Sequence, residues 1–229
     1  ADGDYTWLVN PFPIFPRHLT IPDNRHTPQL IGGRLGDLLH MTREADEFVL
    51  FYNGPRCGAS APDHAHFQAG NKGFLPLGEA IRSCRREPLL THGSARLSLV
   101  TEYFCPLFLI EAREADEARA LFDTLYRALD QPAGEPEPMM NLVAWYEAGE
   151  WNLCIFPRTR HRPSCYQAEG DANILLSPAS VDLGGVFITP LEKDFEKIEA
   201  GHLQQILAEV CPNREQLTAI INRLNRQTS

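Results

Sequence analysis

Strand-like runs crowd the first three quarters of this chain and helical runs gather at its end, with no regular alternation of strand, helix and strand. Neighbouring parallel strands need a crossover of a dozen or more residues, usually a helix. The order therefore points to an α+β fold built on an antiparallel sheet, with flanking helices and a helical C-terminal segment. Thr6–Val9, His18–Ile21, Glu47–Tyr52, Leu97–Thr101 and Leu107–Glu111 read as strands. Asn141–Tyr146 and Trp151–Phe156 flank Glu-Ala-Gly-Glu, which predicts a hairpin. Prolines 11, 13 and 16 forbid helix between the first two strands. Asp63–Ala69 alternates in chemical type as a strand does, and Asn173–Leu176 and Gly185–Thr189 are expected as short strands.

Helical spacing of Leu30, Ile31, Leu35, Leu38 and Leu39 predicts a helix over 29–42. Leu121, Leu125 and Leu129 predict another over 112–130, and three more are expected near 191–198, 202–210 and 213–226. The 229 residues allow one large domain or two small ones; the order of the motifs quoted below favours one elaborated domain, 1–229, with 190–229 as its helical extension. The chain begins Ala-Asp-Gly-Asp with no Met and no signal-peptide stretch, so a longer protein trimmed at its natural N-terminus is expected. Net charge of −9 argues against a nucleic-acid polymer as partner. No apolar run is long enough to span a membrane. The 6 Cys are scattered without C-x-x-C, which favours reduced thiols and a cytoplasmic protein.

The segment with most chemical content is His64-Ala-His66-Phe-Gln68. As a strand it sets His64, His66 and Gln68 on one face, at steps of about 7 Å, and turns Ala65, Phe67 and Ala69 to the core. Imidazole has an unperturbed pKa of about 6.5, so at neutral pH it is a ready nucleophile toward phosphorus. A carboxamide bonds a phosphate oxygen without adding negative charge. Gly58-Ala-Ser60 just upstream offers backbone N–H groups to an anion. Two His at this spacing also suit a metal site or plain polar surface. Cys57, Cys154 and Cys165 lack zinc-site spacing.

Asn53-Gly54, Gly58-Ala-Ser60 and His64-Ala-His66-Phe-Gln68-Ala69 together resemble the active-site segment of the histidine-triad superfamily. The H-x-H-x-Q form is that of its nucleotidyltransferase and phosphorylase branch. That branch includes GDP-hexose phosphorylases, diadenosine tetraphosphate phosphorylase and galactose-1-phosphate uridylyltransferase. Pro16-Arg-His18-Leu-Thr-Ile-Pro22-Asp-Asn-Arg-His26 is similar to the superfamily's early strand and turn. The two motifs come in the expected order and cover about a third of the chain.

The resemblance implies that His66 takes up a nucleoside monophosphate covalently, Gln68 holds phosphate and leaving group, and His64 lines the site and orients the His66 ring through its carbonyl. It implies that Asn53, Gly58 and Ser60 contact phosphates, and that His18 and His26 border the nucleotide. Gln68 stands where the three-histidine hydrolases carry another His, which points to transfer onto an acceptor. The gap from Ser60 to His64 is one residue longer than is usual in sister families. The zinc cysteines of some uridylyltransferases have no counterpart, so no catalytic metal and no cofactor are expected. Partners are a small nucleotide substrate and a phosphate or sugar-phosphate acceptor. Some relatives dimerise through a sheet edge, so a homodimer is admitted.

The loop Arg158-Thr-Arg160-His161-Arg162 is unusually basic for this chain. Arg158, Arg160 and His161 are candidates to bind phosphate, set against a merely solvated turn. Arg82, Arg85 and Arg86 read as surface, and Lys72 as surface rather than phosphate ligand. Two other readings stay open: a metal-dependent hydrolase using His64 and His66, and a non-catalytic nucleotide-binding protein on the same fold.

Overall fold

The structure, a computed structural model, describes residues 4–227. Nine strands form one sheet: β1 (Leu8–Val9), β2 (His18–Pro22), β3 (Phe48–Asn53), β4 (His66–Asn71), β5 (Arg86–His92), β6 (Ala95–Val100), β7 (Leu107–Ala112), β8 (Met140–Glu147) and β9 (Glu150–Pro157). Their order across the sheet is β1-β2-β4-β3-β8-β9-β7-β6-β5, and the paired neighbours run antiparallel. Among the described residues seven α-helices accompany them: α1 (Leu35–Glu44), α2 (Leu77–Ser83), α3 (Ala115–Ala128), α4 (Ser180–Leu183), α5 (Glu192–Lys197), α6 (Ala200–Val210) and α7 (Arg214–Gln227).

Side chains alternate across each strand, so every strand feeds two cores. One face presents Leu50, Tyr52, Phe67, Leu142, Leu153 and Ile155 to α1, α3 and α7, which answer with Leu38, Leu39, Leu121, Leu125, Ile220 and Leu224. The other presents Val49, Phe51, Val143, Cys154 and Phe156 to Leu77 and Ile81 of α2, Val181 and Leu183 of α4, and Leu207 and Val210 of α6. Covered on both sides, β3 reads as a continuous apolar run rather than an alternating one. The helical C-terminal segment is thus divided: α7 lies over one face and α6 over the other. No helix among the described residues is long and apolar enough to cross a membrane.

Several expectations are corrected. The first helix begins at Leu35, not residue 29, because 29–33 form a loop that turns through Gly33 at φ 79°. The strand expected over 63–69 begins only at His66, so His64 lies in the turn before it. Asn173–Leu176 and Gly185–Thr189 are irregular, not strands. Leu175 gives its N–H to the Asp194 carboxylate and Ile188 gives its own to Asp182, so side chains take bonds that a ladder would otherwise use. α2 and β5 carried no sequence expectation, and Ser180–Gly185, expected as a glycine turn or a bulge before a strand, opens with the short helix α4. β5 contains Pro88 at an irregularity in the pairing and lies at the sheet edge, where proline is tolerated. Arg86, read as surface, is half-buried and pairs with Glu111 at 2.8 Å.

Candidate active site

At the end of β4 the face opposite Phe67 and Ala69 carries His66 and Gln68. Neighbouring strands add His18 from β2, Asn53 from β3 and Asn141 from β8 to the same face, just beyond the Phe51 and Val143 core. Polar groups collect here because the strands run past the apolar layer. His66 stands opposite Asn53, yet the ladder between β3 and β4 is recorded only as far as Phe51 and Gln68. Gln29 fills that gap. Its side-chain amide donates to Asn53 O at 2.9 Å and His66 O at 3.0 Å, and its oxygen accepts from the His66 N–H at 2.7 Å. Gln29 is fully buried and exhausts its bonding capacity there except for one lone pair.

The His66 ring has one nitrogen engaged and one free. Nδ1 lies 2.9 Å from His64 O. A carbonyl only accepts, so Nδ1 carries the proton and Nε2 the lone pair. Nε2 is buried without a hydrogen-bond partner. Burial, together with the nearby His64, lowers the imidazole pKa against the pull of the His64 carbonyl. The ring is therefore neutral at pH 7, with its basic nitrogen buried and unpartnered.

The His64 ring bonds Asp23 O at 2.7 Å, which holds the turn that supplies the orienting carbonyl. Asp23 is itself clamped. Burial works against its ionisation, yet the Arg25 N–H and the Arg34 guanidinium, 2.6 Å away, hold the carboxyl down at about 2. Beneath the same end of the sheet, the Tyr52 hydroxyl lies between the Glu137 carboxyl and Gln29 O, 3.2 Å from the latter. Burial pushes the Glu137 pKa up.

Gln68 Oε1 lies 2.8 Å from His18 Nε2. Asn53 Oδ1 accepts from Asn141 Nδ2 at 2.8 Å and from Ser180 N at 2.9 Å, leaving its amino group toward the site. The 54–60 loop passes alongside: Asn141 also donates to Cys57 O at 2.7 Å. A Cβ on Gly58 would stand 2.6 Å from the Ala179 Cβ, and Gly58 has φ 98°, so only glycine suits this close passage. The backbone N–H groups of Gly58 and Ser60 make no hydrogen bond among the described residues.

Comparison with known proteins adds the fold. A family model described as a domain of unknown function, DUF4922, matches residues 1–71. A search of curated proteins finds no match by sequence. Among solved structures, yeast Ap4A phosphorylase superposes with a TM-score of 0.59 at 19% identity, covering 92% of this chain and 73% of that one. A DUF4931 family protein from Bacillus cereus superposes at 0.51 and 16% identity, covering 75% of this chain and 92% of its own. The chain shares the fold of these two solved structures. Within this fold, His66, Gln68 and Asn53 gather on one face, with Gly58 and Ser60 on the adjoining loop.

Other expected site residues fall elsewhere or act differently. His18 is buried against Gln68 and the Phe15 ring rather than open to a nucleotide. His26 is exposed, pairs with Asp63 at 3.3 Å and stacks near His64 at the outer rim. Arg158 is only 4% exposed, and all its donors are spent on the oxygens of Asn141, Pro178, Arg160, His161 and Val210. It builds the loop and presents no free guanidinium to a phosphate. Arg160 turns to Glu209 on α6 at 2.9 Å. His161 adds little positive charge to the loop: burial, Arg162, Arg56 and Arg158 together lower its pKa and favour the neutral ring. Lys72, at the far end of β4, donates to Tyr146 O. Phe15 and Trp145 are core residues, and Phe12 is exposed.

Gln29 and Asn141 drew no notice in the sequence. The one hint was a lone polar side chain inside an apolar stretch, Gln29 before Leu30-Ile31 and Asn141 before Leu142-Val143. Among the described residues no group of three or more His, Cys, Asp or Glu is arranged to hold a metal ion.

Proposed function

We propose that the chain is a nucleotidyltransferase or nucleotide phosphorylase acting on a nucleotide sugar or a dinucleoside polyphosphate through a nucleotidyl-His66 intermediate. The observation that carries this reading is the His66 ring: neutral, its proton held on Nδ1 by His64 O, and its Nε2 lone pair buried and unpartnered. A buried acceptor without a partner is costly, so its persistence suits a group awaiting an electrophile. The likeness to the yeast Ap4A phosphorylase fold adds support for phosphorus chemistry.

In the first step Nε2 attacks the α-phosphorus, the N–P bond forms and the P–O bond to the leaving sugar phosphate or nucleoside polyphosphate breaks. Positive charge growing on the ring is shared through Nδ1–H with the His64 carbonyl. The Gln68 amino group donates to the oxygens where negative charge gathers, and the Gly58 and Ser60 N–H groups do the same along the loop. In the second step the acceptor, inorganic phosphate or a sugar phosphate, attacks the same phosphorus and returns the lone pair to Nε2. Arg56 and Arg162, whose charge already disfavours protonation of His161, supply cationic surroundings for the departing and arriving phosphates. A cytoplasmic setting goes with this reading.

Intact mass tests it. The protein is incubated separately with Ap4A, UDP-glucose and GDP-mannose. The expected result is a gain of one nucleoside monophosphate from at least one of them, absent in His66→Ala. A His66→Ala chain that still turns the compound over overturns the mechanism, as does a native chain that never gains the adduct.

A further inference from the structure

Gln68 is useful to a phosphate only through its amino end. Its oxygen, turned to the same place, would repel the anion. An amide carries no intrinsic preference between the two orientations, so something must choose. The candidate is His18, 50 residues away in sequence and one strand away in space.

The Ile14 backbone N–H reaches His18 Nδ1 at 3.0 Å. A backbone N–H can only donate, so Nδ1 is the unprotonated nitrogen, and the ring proton sits on Nε2. That Nε2–H points at Gln68 from 2.8 Å and can be received only by the amide oxygen. The Gln68 amino group is thereby turned the other way, and it has no protein partner among the described residues. The ring itself cannot swing. Phe15 stands edge-on at 5.2 Å and Phe51 at 5.9 Å. Gly70, paired opposite His18, has no side chain because Phe15 lies across it: a Cβ there would sit 2.2 Å from the Phe15 ring.

We infer that His18 is a positioning residue: the Ile14 N–H sets its tautomer, and its Nε2–H locks Gln68 with the amide NH2 facing the phosphate that His66 attacks. The inference rests on the nucleotidyl-His66 reading and adds to it a relay that no nucleotide contact by His18 requires. No charged side chain takes part; the groups against the ring are Ile14, Phe15, Phe51 and Gln68.

Two substitutions separate orientation from packing. The side-chain amide of Asn reaches the place of Nδ1, so His18→Asn keeps an acceptor for Ile14 but has nothing to offer Gln68. The amide of Gln reaches the place of Nε2, so His18→Gln keeps the donor to Gln68 and slackens the Ile14 anchor. The rate of His66 adduct formation is followed by intact mass with Ap4A, UDP-glucose and GDP-mannose, alongside the thermal midpoint of each protein. The expected result is a loss of about tenfold or more in His18→Asn, as for a lost transition-state donor, and near-native rate in His18→Gln, irrespective of which variant is the more stable. Equal rates in the two, or faster adduct formation in His18→Asn, overturn the inference while leaving the His66 mechanism intact. A native chain that forms no adduct with any of the three compounds overturns the parent reading, and this one with it.

Discussion

The side-chain amide of Gln29 bonds both the N–H and the carbonyl of His66. A loop residue thus does the work of a missing stretch of ladder, and the backbone of the candidate nucleophile is fixed from outside its own sheet. Gln29→Leu keeps the approximate volume and strands buried groups at His66 and Asn53. About 3 kcal/mol of stability should be lost, at 1–3 kcal/mol per unsatisfied group. Urea denaturation reads the loss, and an unchanged midpoint would mean that water replaces the amide.

Arg158 and Arg160 sit two residues apart and should behave oppositely. Arg158→Lys cannot reproduce a guanidinium fork bonded to five oxygens and should cost about 3 kcal/mol or more. Arg160→Ala removes a half-exposed pair with Glu209 and should cost under about 1 kcal/mol. Chemical denaturation of the two variants side by side checks the contrast; similar losses would contradict it.

Gly70→Ala places a methyl group where the Phe15 ring lies. Overpacking of this kind typically costs about 1–3 kcal/mol. Since Phe15 also braces His18, the adduct rate per folded molecule should fall as well. A stable Gly70→Ala protein with native adduct kinetics would show that the ring moves aside without consequence.

The pH profile of adduct formation should follow the His66 imidazole. Burial lowers its pKa below 6.5, and His64 adds to the effect. Only the neutral ring attacks, so the rate falls as pH drops through the lowered value. At pH 6 an ordinary imidazole is about one-quarter neutral, whereas the adduct rate should keep a larger share of its plateau than that. Half-maximal rate at pH 6.5 or above would place the controlling ionisation elsewhere.

Much of this was legible in the residues themselves. The strand runs, the long hairpin, the helix over 115–128 and the H-x-H-x-Q segment are local patterns, and local periodicity survives in any context that buries one side of it. Pro16–His26 and His64–Gln68 pointed to one fold, and two of their residues, His18 and Gln68, meet across β2 and β4. The sequence by itself could mark His18, His26, Arg158 and Arg160 as polar groups of the right kind.

Only the tertiary structure decided which of them remain free to act. His18 and His26 look alike in the motif, yet one is caged between Ile14 and Gln68 and the other is exposed beside Asp63. Arg158 was the natural phosphate ligand until Asn141, Pro178 and Val210 took its donors. Gln29 was unremarkable until β3 and β4 parted around it. The reason is physical. A hydrogen-bonding group is spent or available according to partners that approach from distant parts of the chain, and no local pattern records that approach. Sequence periodicity sets the sheet and offers the chemistry; tertiary contacts leave the buried lone pair of His66 Nε2 without a partner among the described residues.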